Sequence, residues 1–142
     1  MIKAVLDSNV LVSGLISSKG APSEILDAWR RRKFFLLTSE EIIRETQKVL
    51  NYPRIKNTYS LTPEQINRFL SNLRKYSFRI SGSLSVNEIT DDPEDNKILA
   101  CALEGGAKYI VSGDVHLKNL RSFKGVKIVT PTEFEEILAE KE

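Results

Sequence analysis

The segment TDDPEDNK, from Thr90 to Lys97, places four acidic residues within five positions, and an apolar stretch follows it at once. If Pro93 is the first helical residue, Asp92 is the N-cap, and capping alone accounts for its carboxylate. Asp95 differs, because it shares a helix face with residues that are all apolar: Ile98, Leu99 and Ala102. A carboxylate that points toward a core is costly unless it is paired or bound to a metal ion. Asp95 is therefore predicted to belong to a functional site.

Two further aspartates follow predicted strands. Asp7 comes directly after IKAVL (Ile2–Leu6), and Asp114 comes just past KYIVS (Lys108–Ser112). In a parallel sheet the carboxyl ends of the strands meet at one edge, where ligands normally bind and where the following helices begin. Asp7, Asp95 and Asp114 are therefore predicted to lie on one rim.

A fourth carboxylate is harder to place from the sequence. A predicted helix is capped by Ser39 and ends near Leu50, and Glu45 lies at the border of its apolar face. Glu41 is nearer to the rim but lies further from that face. The alternative interpretation is that both residues are ordinary solvent-exposed acids of the helix. Between the two, the geometry favours Glu45 over Glu41.

The residue types around these acids indicate which cofactor such a site would take. Close carboxylates repel one another unless a cation compensates. The chain has one histidine and one cysteine, so the ligands are oxygens, which suit Mg²⁺ or Mn²⁺. Polar neighbours of the acids are predicted to orient the carboxylates, although each also fits a turn or a cap: Ser8, Asn9, Asn96 and Ser112.

A divalent-metal carboxylate site without an organic cofactor typically handles phosphate. The sequence has no GxxxxGK[ST] loop, which counts against an NTPase. The single histidine, His116, has no obvious nucleophile partner and is predicted to be a structural residue in the turn after Asp114.

The order of predicted elements indicates an α/β fold with a parallel sheet covered on both faces. Five strands are predicted, at Ile2–Leu6, Phe34–Thr38, Ser77–Ile80, Lys108–Ser112 and Val126–Thr130. Helices are predicted from about Ser23 to Arg32, from Ser39 to Leu50, from Thr62 to Tyr76, from Pro93 to Gly105, and from Pro131 onward. The segment from Pro53 to Ser60 is predicted to be a loop.

Composition and charge limit the alternatives. One cysteine excludes an intramolecular disulfide and suits a reducing cytoplasm, and no apolar run is long enough to span a membrane. The net charge of +2 is small, but Arg30, Arg31, Arg32 and Lys33 form one basic run, and Lys118 belongs to a looser basic stretch. These residues are candidates for contacts to RNA phosphates. An equally simple interpretation is that the basic run is the solvent-exposed end of a helix.

Four segments together resemble the PIN-domain family, in particular its prokaryotic group of toxin–antitoxin toxins: VLDSNVLVSG (Val5–Gly14), SEEIIRETQKVL (Ser39–Leu50), DPEDNKILACALEGGAKYIVSGD (Asp92–Asp114) and HLKNL (His116–Leu120). The resemblance implies a single domain over residues 1–142, built as a three-layer α/β/α sandwich around a parallel sheet. It also implies cleavage of RNA with Mg²⁺ or Mn²⁺ by a quartet of acids, Asp7, Glu45, Asp95 and Asp114, supported by Asn9 and Ser112. Ser8 and Ser112 stand where family members often carry threonine, and both keep the hydroxyl group.

Other functions stay open at this point. A DNA nuclease would use the same acids. A phosphatase that forms an aspartyl-phosphate would typically carry a second acid two residues after Asp7, where this chain has Asn9. A phosphorylation switch would need one strand-end aspartate and a nearby lysine, and Lys118 lies in the wrong kind of segment for that role.

The family resemblance also implies partners. An antitoxin protein and a homodimer are expected from it. The predicted helix from Thr62 to Tyr76 is the candidate interface, because its apolar residues exceed what a core needs: Ile66, Phe69, Leu70 and Leu73.

Overall fold

A computed structural model describes residues 1–81 and 93–140 of the chain. The strands in this part are β1 (Lys3–Leu6), β2 (Phe35–Ser39), β3 (Phe78–Ile80), β4 (Tyr109–Val111), β5 (Ser122–Phe123) and β6 (Val126–Val129). The helices are α1 (Ser8–Ile16), α2 (Ala21–Arg30), α3 (Glu40–Leu50), α4 (Pro53–Thr58), α5 (Pro63–Tyr76), α6 (Pro93–Gly105), α7 (Val115–Leu120) and α8 (Pro131–Glu140). The predicted N-cap Asp92 lies outside the described residues.

The strands form one sheet in the order β3-β2-β1-β4-β6-β5. All neighbours pair in parallel except β5, which runs antiparallel to β6. The predicted α/β architecture around a central, mostly parallel sheet of about five strands is confirmed, and β5 adds a short sixth strand that runs in the opposite direction.

The antiparallel pair exists because of its tight turn. Lys124 and Gly125 connect β5 to β6, and both have positive φ values, 48° and 88°. Two consecutive residues with positive φ give the twisted two-residue loop that joins adjacent antiparallel strands. The hairpin thus adds a strand, β5, in a basic stretch for which the sequence predicted none.

The central strands are covered on both faces. Successive residues of a strand point to opposite sides of a sheet, and all three of Ala4, Val5 and Leu6 in β1 are fully buried. β4 is likewise buried along its whole length. Helix α6 packs on the strands, while α1 packs between α2 and α3, and α2 packs on α8. The sheet is thus the middle layer of three.

Three of the described helices, α1, α4 and α7, were missed by the sequence-based prediction. α1 is apolar around most of its circumference and packs against α2 and α3, so it lacks the polar face that marks an amphipathic helix. α4 begins at Pro53, where the sequence pattern predicts the end of the preceding helix and the start of a loop. Proline fits the first helical position, because the missing N–H has no partner there in any case.

Helix α5 begins with a capping box, in which Thr62 and Gln65 satisfy each other's backbone N–H groups. The four apolar residues proposed from the sequence as interface candidates are instead buried within the chain itself: Ile66, Phe69, Leu70 and Leu73. They belong to the core, so the homodimer prediction loses its suggested contact surface. In the described part of the chain, no helix is long and apolar enough to cross a membrane.

Candidate active site

Two neighbouring strand ends bring the first two aspartates together. β1 pairs with β4 with Leu6 in register with Val111, and the backbone N–H of Asp7 donates to the Val111 carbonyl at 3.0 Å. Asp7 then begins α1, and Asp114 begins α7. Both residues therefore lie at the carboxyl edge of the sheet.

The other predicted acids are carried by helices that start at the same edge. Asp95 is in the first turns of α6 and is only 4% exposed. Ser39 at the end of β2 caps α3 by accepting a hydrogen bond from the Ile42 N–H at 3.3 Å. Glu41 and Glu45 follow on α3 at a spacing of one turn, so both project from the same helix face.

These side chains line one depression, which we call the acidic cleft, with a volume of about 150 Å³. Its lining residues are Asp7, Ser8, Asn9, Glu41, Ile42, Glu45, Asp95, Lys97, Ile98 and Asp114. Four separate parts of the sequence thus contribute carboxylates to a single small volume.

Asp7 is 5% exposed, and together with Asp95 it is the most enclosed of these acids. Its carboxylate accepts a hydrogen bond from Ser112 Oγ at 2.7 Å and a longer one from Ser8 Oγ at 3.3 Å. Burial raises the pKa of Asp7 above its ordinary value, the two serine hydrogen bonds oppose that rise, and the negative charge of Asp114 adds to it. The hydrogen bonds therefore hold the carboxylate in place, but they do not fully offset the effect of burial and of Asp114 on its pKa.

Asp114 has a structural role that the sequence did not reveal. Its Oδ1 accepts hydrogen bonds from the backbone N–H groups of His116 at 2.8 Å and Leu117 at 3.1 Å, so it caps α7. These bonds fix the orientation of its carboxylate at the cleft. His116 itself lies in α7, not in a turn, and its side chain is exposed.

The donor set fits a hard divalent cation. Five carboxylates and the polar groups of Ser8 and Asn9 supply oxygen ligands, and a cation would relieve the repulsion that contributes to the raised pKa of Asp7. Within residues 1–81 and 93–140, however, no three acidic, histidine or cysteine side chains converge closely enough to hold an ion as they stand. Binding an ion therefore requires side chains to rotate toward one another, which the long Glu41 and Glu45 side chains allow.

Not all predicted supporting residues lie in the cleft. Ser8 and Asn9 line it, and Ser112 contacts it through Asp7, whereas Asn96 is half-buried on α6 and is not among the described residues that line the cleft. Two charged lining residues were not among the predicted site residues: Glu41, which the sequence analysis ranked below Glu45, and Lys97. The spacing of Glu41 and Glu45 was the signal in the sequence. Residues four positions apart lie on the same helix face, so a helix that presents one of them to the cleft presents both.

The predicted RNA-contacting residues lie elsewhere. Arg30 and Arg32 line a separate cavity near the start of β2, and Arg31 and Lys33 are exposed beside them. Lys118 is exposed in the last turn of α7. The described part of the structure thus separates the basic run from the acids.

Comparison with known proteins identifies the architecture. Residues 3–116 match the family described as PIN domain. The chain belongs to the PIN domain family. This PIN domain is 32% identical over 141 residues to an uncharacterized protein, MJ1680, of Methanocaldococcus jannaschii, a match that covers 94% of this chain and 89% of that protein. Membership of the family supports a nuclease activity.

Solved structures share the fold of this PIN domain. VapBC2 from Rickettsia felis, solved bound to a DNA fragment from their promoter, matches with a TM-score of 0.62. FitAcB from Neisseria gonorrhoeae matches with a TM-score of 0.54. Each match has 14% sequence identity and covers 91% of this chain and 98% of the other chain. At that identity the similarity shows a shared fold.

Proposed function

We propose that this PIN domain is an endoribonuclease that hydrolyses RNA phosphodiester bonds with the help of Mg²⁺ or Mn²⁺. The observation that carries the proposal is the meeting of acids from four distant segments in one small cleft. A cleft of this charge repels a phosphate unless a cation lies between them. The family membership points to the same class of chemistry.

Asp7, Glu45, Asp95 and Asp114 are the residues proposed to hold the ion, with Glu41 as a fifth candidate. When bound, the ion supplies positive charge that offsets the charge developing on the phosphate during attack. Ser112 and Ser8 keep the Asp7 carboxylate in position through their hydrogen bonds. Asn9 lines the cleft beside them and is proposed to orient a carboxylate or a water molecule.

Two of the cleft residues suit the proton transfer of hydrolysis and the binding of the phosphate. Water attacks phosphorus, and one carboxylate of the cleft accepts the proton that the water releases. The bond from phosphorus to the leaving sugar oxygen breaks, and that oxygen takes up a proton from solvent. Glu45 is proposed for that role, since its side chain is longer and less enclosed than that of Asp7. Lys97 is the one cation among the described residues of the cleft, and it is placed to contact a phosphate oxygen.

The decisive test uses the purified chain with an end-labelled single-stranded RNA. Cleavage is expected with Mn²⁺, and it is expected to stop in EDTA and in the variant Asp7→Asn. Equal cleavage in all three conditions would refute the proposal. Single-stranded DNA of the same sequence, run beside the RNA, separates the ribonuclease from the DNA nuclease that the same acids would serve.

We also propose that the chain acts in the cytoplasm as the toxin of a toxin–antitoxin pair. The support is the resemblance of its motifs to that group within the PIN domain family. Expression of the wild-type chain alone is expected to arrest the growth of a bacterial host, whereas Asp7→Asn at the same protein level is not. Undisturbed growth with an active nuclease present would reject the toxin role and leave the ribonuclease standing.

A further inference from the structure

We propose that the amino-terminal edge of the sheet carries a second RNA-binding surface, where single-stranded RNA stacks its bases on exposed aromatic rings and pairs its phosphates with basic side chains. This inference rests on the proposed ribonuclease function. The surface is a cavity of about 630 Å³, which we call the aromatic groove, and the residues that matter here are Trp29, Arg30, Arg32, Phe35, Tyr76 and Phe78.

The groove lies at the opposite edge of the sheet from the acidic cleft. Phe35 is the first residue of β2 and Phe78 is the first residue of β3, whereas the acids follow the carboxyl ends of the strands. The five residues of β2 span about 13 Å from the first Cα atom to the last, at roughly 3.3 Å per residue, so the two edges are at least that far apart. An RNA that occupies both places must therefore span several nucleotides.

Three of the aromatic rings that line the groove are exposed to solvent, whereas the Trp29 ring is buried. Tyr76 is 56% exposed and Phe78 is 55% exposed, and Phe35 is partly exposed beside them. The rings of Phe35 and Phe78 pack edge to face with centroids 5.3 Å apart. Because contiguous exposed apolar surface is costly in water, such a patch marks a binding site.

The charges around the rings are positive. Arg30 and Arg32 line the groove, and none of its described lining residues is acidic. Arg30 is paired with Asp27 at 3.1 Å, but this pair is half exposed and can be exchanged for a phosphate. Lys3 is in register with Phe35, and the Lys108 N–H donates to the Lys3 carbonyl, so two further exposed lysines continue the row along the edge.

A smaller groove of about 180 Å³ extends this surface. It shares Arg30, Phe69 and Asn72 with the aromatic groove and adds Arg68 on α5. Arg68 is exposed, so the basic surface continues from the end of α2 along α5. The combined length is suited to an extended strand more than to a compact ligand.

Single-stranded RNA is the occupant that these features favour. Planar rings flanked by guanidinium groups match bases and phosphates together, and every base has a face that can stack. A protein partner or a second copy of the chain is the competing occupant. It would be recognised through apolar contact, with no need for this density of positive charge.

The test measures binding without cleavage. In EDTA the acidic cleft repels RNA, so affinity for a labelled oligouridine of about 20 nucleotides reports binding elsewhere on the protein. The wild-type chain is expected to bind it, and the variant Tyr76→Ala/Phe78→Ala is expected to bind at least about fivefold more weakly. Tyr59→Ala is the matched control, because Tyr59 is 46% exposed and lines neither groove.

A second pair of variants tests the charges. Arg30→Gln/Arg32→Gln is expected to flatten the slope of log Kd against log salt by about 0.7 for each phosphate that the protein no longer neutralises. Arg54→Gln, an exposed arginine on α4, is expected to leave the slope unchanged. A wild-type slope in Arg30→Gln/Arg32→Gln would contradict the assignment of phosphates to these two side chains.

Failure of this inference is distinguishable from failure of the proposed function. A chain that cleaves RNA with Mn²⁺ but binds oligouridine equally well with and without the aromatic side chains refutes the second surface alone. A chain that binds RNA through these residues but never cleaves it refutes the ribonuclease alone. A wild-type chain that sediments as a dimer, and that Tyr76→Ala/Phe78→Ala converts to a monomer, assigns the groove to a second copy and overturns the inference.

Discussion

The Ser112 hydroxyl donates a hydrogen bond to Oδ2 of Asp7 at 2.7 Å. Its oxygen, Ser112 Oγ, also accepts a hydrogen bond from the backbone N–H of Asp114 at 3.0 Å. One buried hydroxyl therefore joins the two aspartates that follow neighbouring strands, and it sets both their separation and their charge environment.

Removal of this hydroxyl is expected to impair the site without unfolding the chain. In Ser112→Ala the pKa of Asp7 rises further, because a hydrogen bond that opposed the rise is removed. The acidic limb of the pH–rate profile should move to higher pH, and affinity for Mn²⁺ should fall by about tenfold or more. Ser112→Thr keeps the hydroxyl and should retain the wild-type profile. An unchanged profile for Ser112→Ala would show that the bond has no role in the reaction.

Asp7 is expected to cost stability in the absence of an ion. Because its folded-state pKa is raised, the folded chain holds the proton more tightly than the unfolded chain, and stability falls as pH rises through that range. Asp7→Asn cannot ionise, so in EDTA at neutral pH it should unfold at a higher denaturant concentration than the wild type. The gap should close below about pH 4, the ordinary range of aspartate. Greater wild-type stability in EDTA at neutral pH would contradict this account.

Addition of Mn²⁺ should reverse that order. An ion that binds only the folded wild-type chain raises its stability in proportion to the logarithm of ion concentration. Asp7→Asn should show a much smaller increase. Thermal unfolding of both chains across a Mn²⁺ titration measures the effect, and equal increases would place the ion away from Asp7.

Two glutamates of α3, Glu41 and Glu45, are expected to contribute to RNA cleavage, unlike glutamates on other helices. Glu45→Gln should lower the rate of RNA cleavage by roughly a hundredfold, as expected when a proton acceptor or ion ligand is neutralised. Glu41→Gln should have a smaller effect, because it is a candidate for ion binding only. Glu64→Gln, an exposed acid in the first turn of α5, is the control and should cleave at the wild-type rate. Wild-type activity in Glu45→Gln would remove that residue from the proposed mechanism.

Gly14 is expected to control the packing of α1 on α2. A Cβ atom at this position would lie 2.5 Å from Leu26 Cδ1 and 2.8 Å from the Pro22 carbonyl oxygen. Gly14→Ala should therefore lower the free energy of unfolding by about 1–3 kcal/mol. At Gly113 an added Cβ would meet nothing within 4 Å, so Gly113→Ala should be near neutral in the same denaturation experiment.

Cys101 is expected to be inert in the native chain. Burial raises the pKa of its thiol to about 12, with the charges of Glu104 and Glu41 adding to the rise, so almost no thiolate is present at neutral pH. Mass spectrometry after treatment with iodoacetamide should show no alkylation of the folded protein and full alkylation in denaturant. Rapid alkylation under native conditions would mean that α6 opens locally.

The sequence was informative wherever one physical rule dominated. Buried strands such as β1 and β4 appear as short apolar runs, and the cap at Ser39 and the capping box at Thr62 mark helix starts to within a residue. It was uninformative where tertiary packing decided the outcome. α1 has no polar face because it is surrounded, and the β5–β6 hairpin depends on backbone angles at Lys124 that side-chain patterns do not reveal.

The acids were foreseeable for a related reason. Asp7 and Asp114 follow strands, and the topology of a parallel sheet then brings them to one edge whatever the intervening sequence. Glu41 was ranked below Glu45 because its distance from the apolar face was used to judge it, although a helix that starts at the rim presents its whole first turn there. The capping role of Asp114 needed coordinates, because it depends on where α7 begins.

Strand direction also gives this molecule an electrical polarity. Carboxylates gather beyond one end of the strands, while Lys3, Lys33 and Lys108 stand at the other end, and the net charge is only +2. The exposed lysines at that end make the side of the aromatic groove the one that a polyanion is expected to approach first. The proposed RNA substrate should therefore meet these lysines first, and rising ionic strength should slow that encounter well before it affects bond cleavage.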